Sequence, residues 1–326
     1  MQLKWSEIQL PSKLITLISP FFLWGTAMVA MKGVIPHTTP FFLAGVRLVP
    51  AGFLVLLFTL IQKRDQPKTW KAWFWIGLFA LVDGALFQGF LAAGLARTGA
   101  GLGSVMIDSQ PLAVALLSLW LFQDQVGFWG WLGLGIGVGG ISLIGLPDAW
   151  ILSGFNLDAI ELSLDNLFQN GEWLMLLAAL SMAVGTVLVR WVCKHVDPVV
   201  GTGWHMILGG LPLFALSASL ESGQWQNIDG SDWIALSYST IFGTAIAYGV
   251  FFYLASKGSL TSLSSLTFLT PVFALLFGNL FLGEVLSPLQ SLGVSLTLVS
   301  IYLVNQRQVL TGKLKQLNLD SSLPQD

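Results

Sequence analysis

Charge is scarce in this chain. Lys, Arg, Asp and Glu supply 10% of its 326 residues, against about 25% in an ordinary soluble domain. That deficit excludes a soluble globular enzyme. The two signs nearly cancel, 15 Lys plus Arg against 17 Asp plus Glu, so there is no basic field to hold a nucleic acid. The single cysteine, Cys193, excludes an internal disulfide, and His37, His195 and His205 are too scattered for a metal-ligand cluster. Neither a metal nor a cofactor is expected. A Gly-Lys-Ser/Thr phosphate loop is missing, which argues against an ATP-driven pump. The run GWLGLGIGVGGISLIG from Gly130 to Gly145 has no strand before it and no ribose-binding acid about 20 residues later, so it is not read as a dinucleotide site. Its glycines four apart, Gly133 with Gly137 and Gly135 with Gly139, are expected to let helices approach closely.

Apolar residues are abundant, at 54%, and one bilayer crossing needs about 20 of them in a row. Suitable stretches lie near 14–34, 40–61, 73–95, 101–122, 127–146, 172–193, 199–218, 232–256, 259–282 and 287–305. The first reads as a retained helix rather than a signal peptide, because its apolar run is long and Ala27 to Ala30 makes a poor cleavage site. The expected fold is an all-α membrane protein with ten transmembrane helices. With both termini in the cytoplasm, Lys4, Lys13, Lys63, Arg64, Lys68, Lys71, Arg190, Lys194, Lys257, Arg307, Lys313 and Lys315 fall inside, 12 of the 15 basic residues. Lys32 and Arg97 fall at outer ends and Arg47 within a span, so the positive-inside rule selects this topology. The cluster Lys63, Arg64, Lys68 and Lys71 then serves as a topology-setting loop.

A shift of 160 positions aligns the two halves without gaps: Gly25 meets Gly185, Thr26 meets Thr186, Ala85 meets Ala245, Gly89 meets Gly249, Arg97 meets Lys257, Ser104 meets Ser264, Pro111 meets Pro271, Asp124 meets Glu284 and Gly133 meets Gly293. The repeated unit holds five spans. Five is odd, so the second copy enters the membrane from the opposite side, an inverted repeat of the kind that builds alternating-access carriers. The implied organisation is a cytoplasmic segment 1–13, a first repeat 14–146, an acidic extracytoplasmic linker 147–171, a second repeat 172–305 and a cytoplasmic tail 306–326.

WGTAMVAMK from Trp24 to Lys32, PFFLAGVRLVPAG from Pro40 to Gly52 and LTFLTPVFALLFGNLFLGE from Leu266 to Glu284 resemble the EamA-like family of the drug/metabolite transporter superfamily. The likeness covers about residues 14 to 305. It implies a ten-helix carrier of small metabolites, often exporting them, in a bacterial plasma membrane. The family's acidic residue after the fourth span stands here as Asp124, and the acidic stretch 147–171 is longer than is typical.

Ionisable groups inside spans cost roughly 2.5 to 3.5 kcal/mol each at mid-membrane, so each needs a partner, a cavity or a changed protonation state. Arg47, Asp83, Asp108 and His205 are such groups. Asp83 lies about 15 Å along the third span by helical rise, near the midplane. It is the first candidate for proton or cationic-substrate binding, a hydrogen bond between helices being the alternative. Arg47 and Asp108 lie at similar depth, about 10 Å below the outer end, and are expected either to pair with each other or to leave Arg47 free to hold a substrate carboxylate. Pro111 and Pro271 break equivalent helices and free carbonyls at Ile107 and Thr267, so that Ser104, Gln110, Ser264 and Thr267 are candidates to face a central site. Trp24, Trp204, Tyr248 and Gln88 are candidate cavity-lining residues, with Trp24 chosen through the resemblance. His205 reads as a helix contact or a proton-handling group.

The function expected is secondary active transport of a small polar metabolite, an amino acid or related compound, exported by alternating access with protons as the coupling ion. A channel or lipid scramblase is the alternative, followed by an intramembrane enzyme, for which the spans offer no convergent nucleophile, base and acid. The expected partners are the solute, protons and the lipid bilayer; nothing in the sequence speaks to the oligomeric state.

Overall fold

The computed structural model describes residues 10–31, 33–97, 106–146, 151, 171–282 and 287–320. Among these residues there are helices and no strands. The chain opens with α1 (Leu10–Met31), a short turn with a 3-10 element at Ile35–His37, and α2 (Pro40–Ile61). It continues with α3, a largely apolar helical stretch from Trp70 to Leu95, then α4 (Gln110–Phe122) and α5 (Gly127–Gly145). The second half repeats the order. It has α6 (Gly171–Val192), α7 (Pro198–Leu220), α8 from Gly230 to Ala255, α9 beginning at Leu260, and α10 (Pro288–Asp320).

Among the described residues nine helices are long and apolar enough to cross a membrane, and around α4 a shorter apolar helix spans Met106–Phe122. Residues 101–105, where the sequence reading begins the fourth span, lie outside the described residues, as do Lys32, Ser104, Glu284 and nearly all of the acidic linker. The last helix runs on to Asp320, past Asn305 where apolar character fades. A helix needs only its own backbone hydrogen bonds to continue, so hydropathy marks where a span ends and not where a helix does.

Local chemistry sets the helix starts. Asp197 caps α7 by accepting from the backbone N–H groups of Val199 and Val200, with Pro198 at the first helical position. The N-terminus of α2 has no such cap of its own. Its N–H groups at Phe41 and Phe42 donate to the Glu221 carboxylate, supplied from the end of α7 at 2.8 and 3.1 Å. One half thus satisfies the orphan donors of the other.

Helix packing is symmetric under exchange of the halves. α2 packs on α7 and α5 on α10, each helix against its own counterpart, while α1 on α9 is matched by α6 on α4. The glycines singled out by their spacing divide. Gly133 and Gly137 lie against α10, where an added Cβ would fall within 2.8 Å of Val304 and 2.5 Å of Ser300 respectively. Gly135 and Gly139 face open space, so that pair is not a seam within this chain.

Candidate functional site

Each of the two longest interrupted helices contains a π segment, and the two segments are equivalent: Ala80–Phe87 in α3 and Ser239–Ile246 in α8. A π turn widens the helix and rotates the residues beyond it about the axis, and such turns concentrate at functional sites. Each segment crosses the second helix of the other half, α3 against α7 and α8 against α2. A polar pair sits at each crossing. Asp83 on the first segment lies 3.1 Å from His205 on α7, Oδ2 to Nε2, and both side chains are buried. Thr244 on the second segment accepts from the Arg47 guanidinium of α2 at 3.4 Å.

The Asp83 crossing is tight because glycines remove side chains from it. A Cβ at Gly84 would come within 2.9 Å of the His205 carbonyl, and one at Gly209 within 2.4 Å of the Gly84 Cα. The backbones of α3 and α7 therefore touch. Gly185 on α6 forms the remaining wall, since a Cβ there would lie 2.4 Å from Asp83 Oδ1. That oxygen is buried and has no hydrogen-bond partner among the described residues. His205 is held in place by Nδ1, 2.6 Å from the Thr202 carbonyl, and by Phe79, stacked on its ring at 4.1 Å. With Nδ1 donating to a carbonyl, the bond between Nε2 and Asp83 Oδ2 requires one further proton, which either the ring or the carboxyl can hold.

Between the two crossings lies a polar and aromatic centre. Gln88 Nε2 donates to the Tyr248 hydroxyl at 2.9 Å, and Trp24 packs on the Tyr248 ring at 5.0 Å. The indole N–H of Trp24 is buried without a partner among the described residues. Gln110 donates to Thr186 at 3.4 Å, and its own carbonyl oxygen has no partner among the described residues. A cavity of about 90 Å³ runs from the α1–α2 turn, at Ile35, Thr38 and Thr39, down to Arg47 and Gln88.

The opposite end is closed. Asp124 accepts from Thr261 and Ser259 at 3.1 and 3.3 Å and lies 3.4 Å from Arg307, whose other nitrogen donates to Ser262 at 2.7 Å. Beside this network Trp191 packs on Trp75 and Phe122, and Trp73 on Trp204.

Several expectations change. Arg47 and Asp108 do not pair: Asp108 is half-buried and has no partner among the described residues. Similar depth on two helices says nothing of the direction each side chain faces around its axis, and that decides contact. Trp204 donates to Gln66 at 3.1 Å at the closed end, away from the Arg47 cavity. Ser264 and Thr267 bond to carbonyls of their own helix. Pro111 and Pro271 lie inside their spans, each in the first turn of the α-helical stretch that resumes after a local break, the turn at Ser109 and the 3-10 element Leu266–Phe268. A proline there has no N–H to leave orphaned, so it starts a helix at little cost. Asp83, Arg47, Gln88, Tyr248, Trp24 and His205 are brought together around the two crossings. Neither the pairing of Asp83 with His205 nor the two π segments are legible in the sequence.

The EamA-like transporter family matches residues 11–146 and again 169–306, one match for each set of five helices. The chain belongs to the EamA-like transporter family. An uncharacterized transporter of Synechocystis sp. is similar to this EamA-like chain, 66% identical over 93% of it and 92% of the relative. A WAT1-related protein of Arabidopsis thaliana, described as chloroplastic, is 55% identical over 89% of the chain and 68% of the relative. A crystal structure that is 16% identical superposes with a TM-score of 0.74, covering 90% of this chain and 98% of that one, and shares the fold. This EamA-like protein is therefore a multi-pass membrane protein of a transporter family.

Proposed function

We propose that the chain is a secondary active transporter that exports a small polar metabolite, an amino acid or related compound, across a bacterial plasma membrane. In this reading the ten helices form two inverted five-helix repeats that rock against each other, both termini lie in the cytoplasm, and Asp83 with His205 carries the coupling proton. The chain performs no covalent chemistry on its solute.

The observation that carries the reading is Asp83: a carboxyl group sealed at the crossing of the two halves, with one oxygen on His205 and the other without a partner among the described residues. Buried polar atoms are nearly always hydrogen-bonded, so the second oxygen is where a proton or a solute group would bind. The exchange symmetry of the packing supports two related repeats, and Gln88 meeting Tyr248, 160 residues apart, supports a two-fold axis between them. Arg64, Lys257 and Arg307 gather at the closed end, which supports placing that end inside. The cavity above Arg47 then faces out.

Reconstitution tests the reading. A carrier shows saturable counterflow of a labelled solute, whereas a pore passes current without stimulation by exchange. Comparing metabolites leaked by deletion and overexpression strains supplies the solute. Labelling of Lys71 and Lys257, both exposed, is expected from the same face of the membrane; opposite faces would overturn the inverted repeats.

A further inference from the structure

We infer that the cavity ending at Arg47 receives the carboxylate of a monoanionic solute with an apolar body, an inference that rests on the carrier reading above. Arg47 is the one charged residue among the described residues lining the cavity. Among the described residues its guanidinium makes a single long bond, 3.4 Å to Thr244, and its buried Nε has no partner. Neither carboxylate that the spans offer neutralises it. Asp83 is committed to His205, and Asp108 makes no ion pair with it.

A cation left unpaired at this depth is expensive unless something supplies the opposite charge. A carboxylate does so with the geometry the guanidinium fork is built for, two parallel N–H to oxygen bonds. Gln88 and the hydroxyls of Thr38 and Thr39 offer further polar contacts on the wall, while Met31, Leu43, Leu91 and Leu95 make the rest apolar. One cation balances one negative charge. A phosphate ester, with nearly two, lacks a second cation among the described residues of this wall.

The test uses the purified full chain with three probes of matched body: 2-oxohexanoate, its amide, and hexyl phosphate. Thermal unfolding in detergent reads binding, and counterflow in proteoliposomes reads transport. The carboxylate is expected to raise the Tm saturably and to exchange; the amide does neither, and the phosphate binds at least about tenfold more weakly. Arg47→Lys keeps the charge without the fork and weakens carboxylate binding about tenfold, and Arg47→Gln abolishes it. Should Arg47→Gln fail to fold, Arg47→Lys and the probe series on the unaltered chain still decide. Equal binding of acid and amide, or an unchanged Arg47→Lys, overturns the carboxylate site and leaves carriage standing. Counterflow of some other solute with no response to the carboxylate does the same. If no solute identified by strain comparison undergoes counterflow, the carrier reading is what fails.

Discussion

Gln88 and Tyr248 occupy the same place in the two halves and hydrogen-bond to each other at 2.9 Å. Under the proposed inverted repeat, two equivalent positions meet only where the axis relating them passes, and this bond would mark it. Around it the first half contributes Arg47, Asp83 and Trp24, and the second His205 and Thr244.

Breaking that bond on one side leaves a buried amide without its acceptor. Tyr248→Phe is expected to lower stability by about 1 to 3 kcal/mol. Adding Gln88→Leu removes the stranded donor, and the double variant should recover part of the loss. Thermal unfolding of the four proteins reads the coupling; simple additivity would show that the bond contributes nothing at the axis.

Neutralising the carboxylate at the α3–α7 crossing separates coupling from carriage. Asp83→Asn keeps the shape and the contact with His205 but cannot cycle between charged and neutral forms. Solute accumulation driven by an imposed pH gradient is expected to disappear, while counterflow with equal pH on both sides and the amount of protein in the membrane persist. Gradient-driven accumulation at the original rate would remove Asp83 from the coupling step.

The glycines of the same crossing set its closeness. Gly209→Ala places a Cβ 2.4 Å from the Gly84 Cα, with backbone rather than a flexible side chain in the way. Overpacking of that kind costs about 1 to 3 kcal/mol. Gly135→Ala, which meets nothing within 4 Å, is the control and should leave the Tm unchanged or raise it, since alanine suits a helix interior better.

A pH dependence is expected at the mouth of α8. Asp229 accepts the backbone N–H of Asp232 at 2.9 Å and the Ser231 hydroxyl at 2.7 Å, and these bonds hold its carboxyl below the usual carboxylate range, the backbone bond most of all. A lowered value means that the cap stabilises the folded state fully above the ordinary aspartate range, near 3.9, and that this is lost as pH falls through the lower folded value. Asp229→Asn, still a good cap, should match the parent at pH 7 and show less acid-induced loss of Tm between pH 4 and 3. Asp229→Ala should be less stable at pH 7.

How legible each feature is in the sequence depends on where its signal resides. Asp83 is visible because a carboxylate in an apolar run stands out whatever surrounds it. Its partner is not, since His205 is 122 residues away and the contact depends on how α3 and α7 cross. The π segments add one residue per widened turn inside apolar stretches such as ALVDGALF, which leaves composition and periodicity almost untouched. Pro111 and Pro271 are recognisable as breaks, but hydropathy runs straight through the turns before them, so a helix start looks like a mid-helix kink. The repeat is the most legible feature because offset identity needs no geometry, and the pairing of each half's helices obeys the same correspondence.

The duplicated glycines Gly25 and Gly185 have diverged in what they admit. A Cβ on Gly25 would strike Phe273, and one on Gly185 would strike the Asp83 carboxylate. The position matching Asp83 is Gly243, filled instead by the methyl group of Ala27. A machine of two interchangeable halves would look alike to a passenger boarding from either bank. Here one position holds a carboxylate and its counterpart a methyl group, so under the proposed carrier reading the two halves would not present the same surface to a solute.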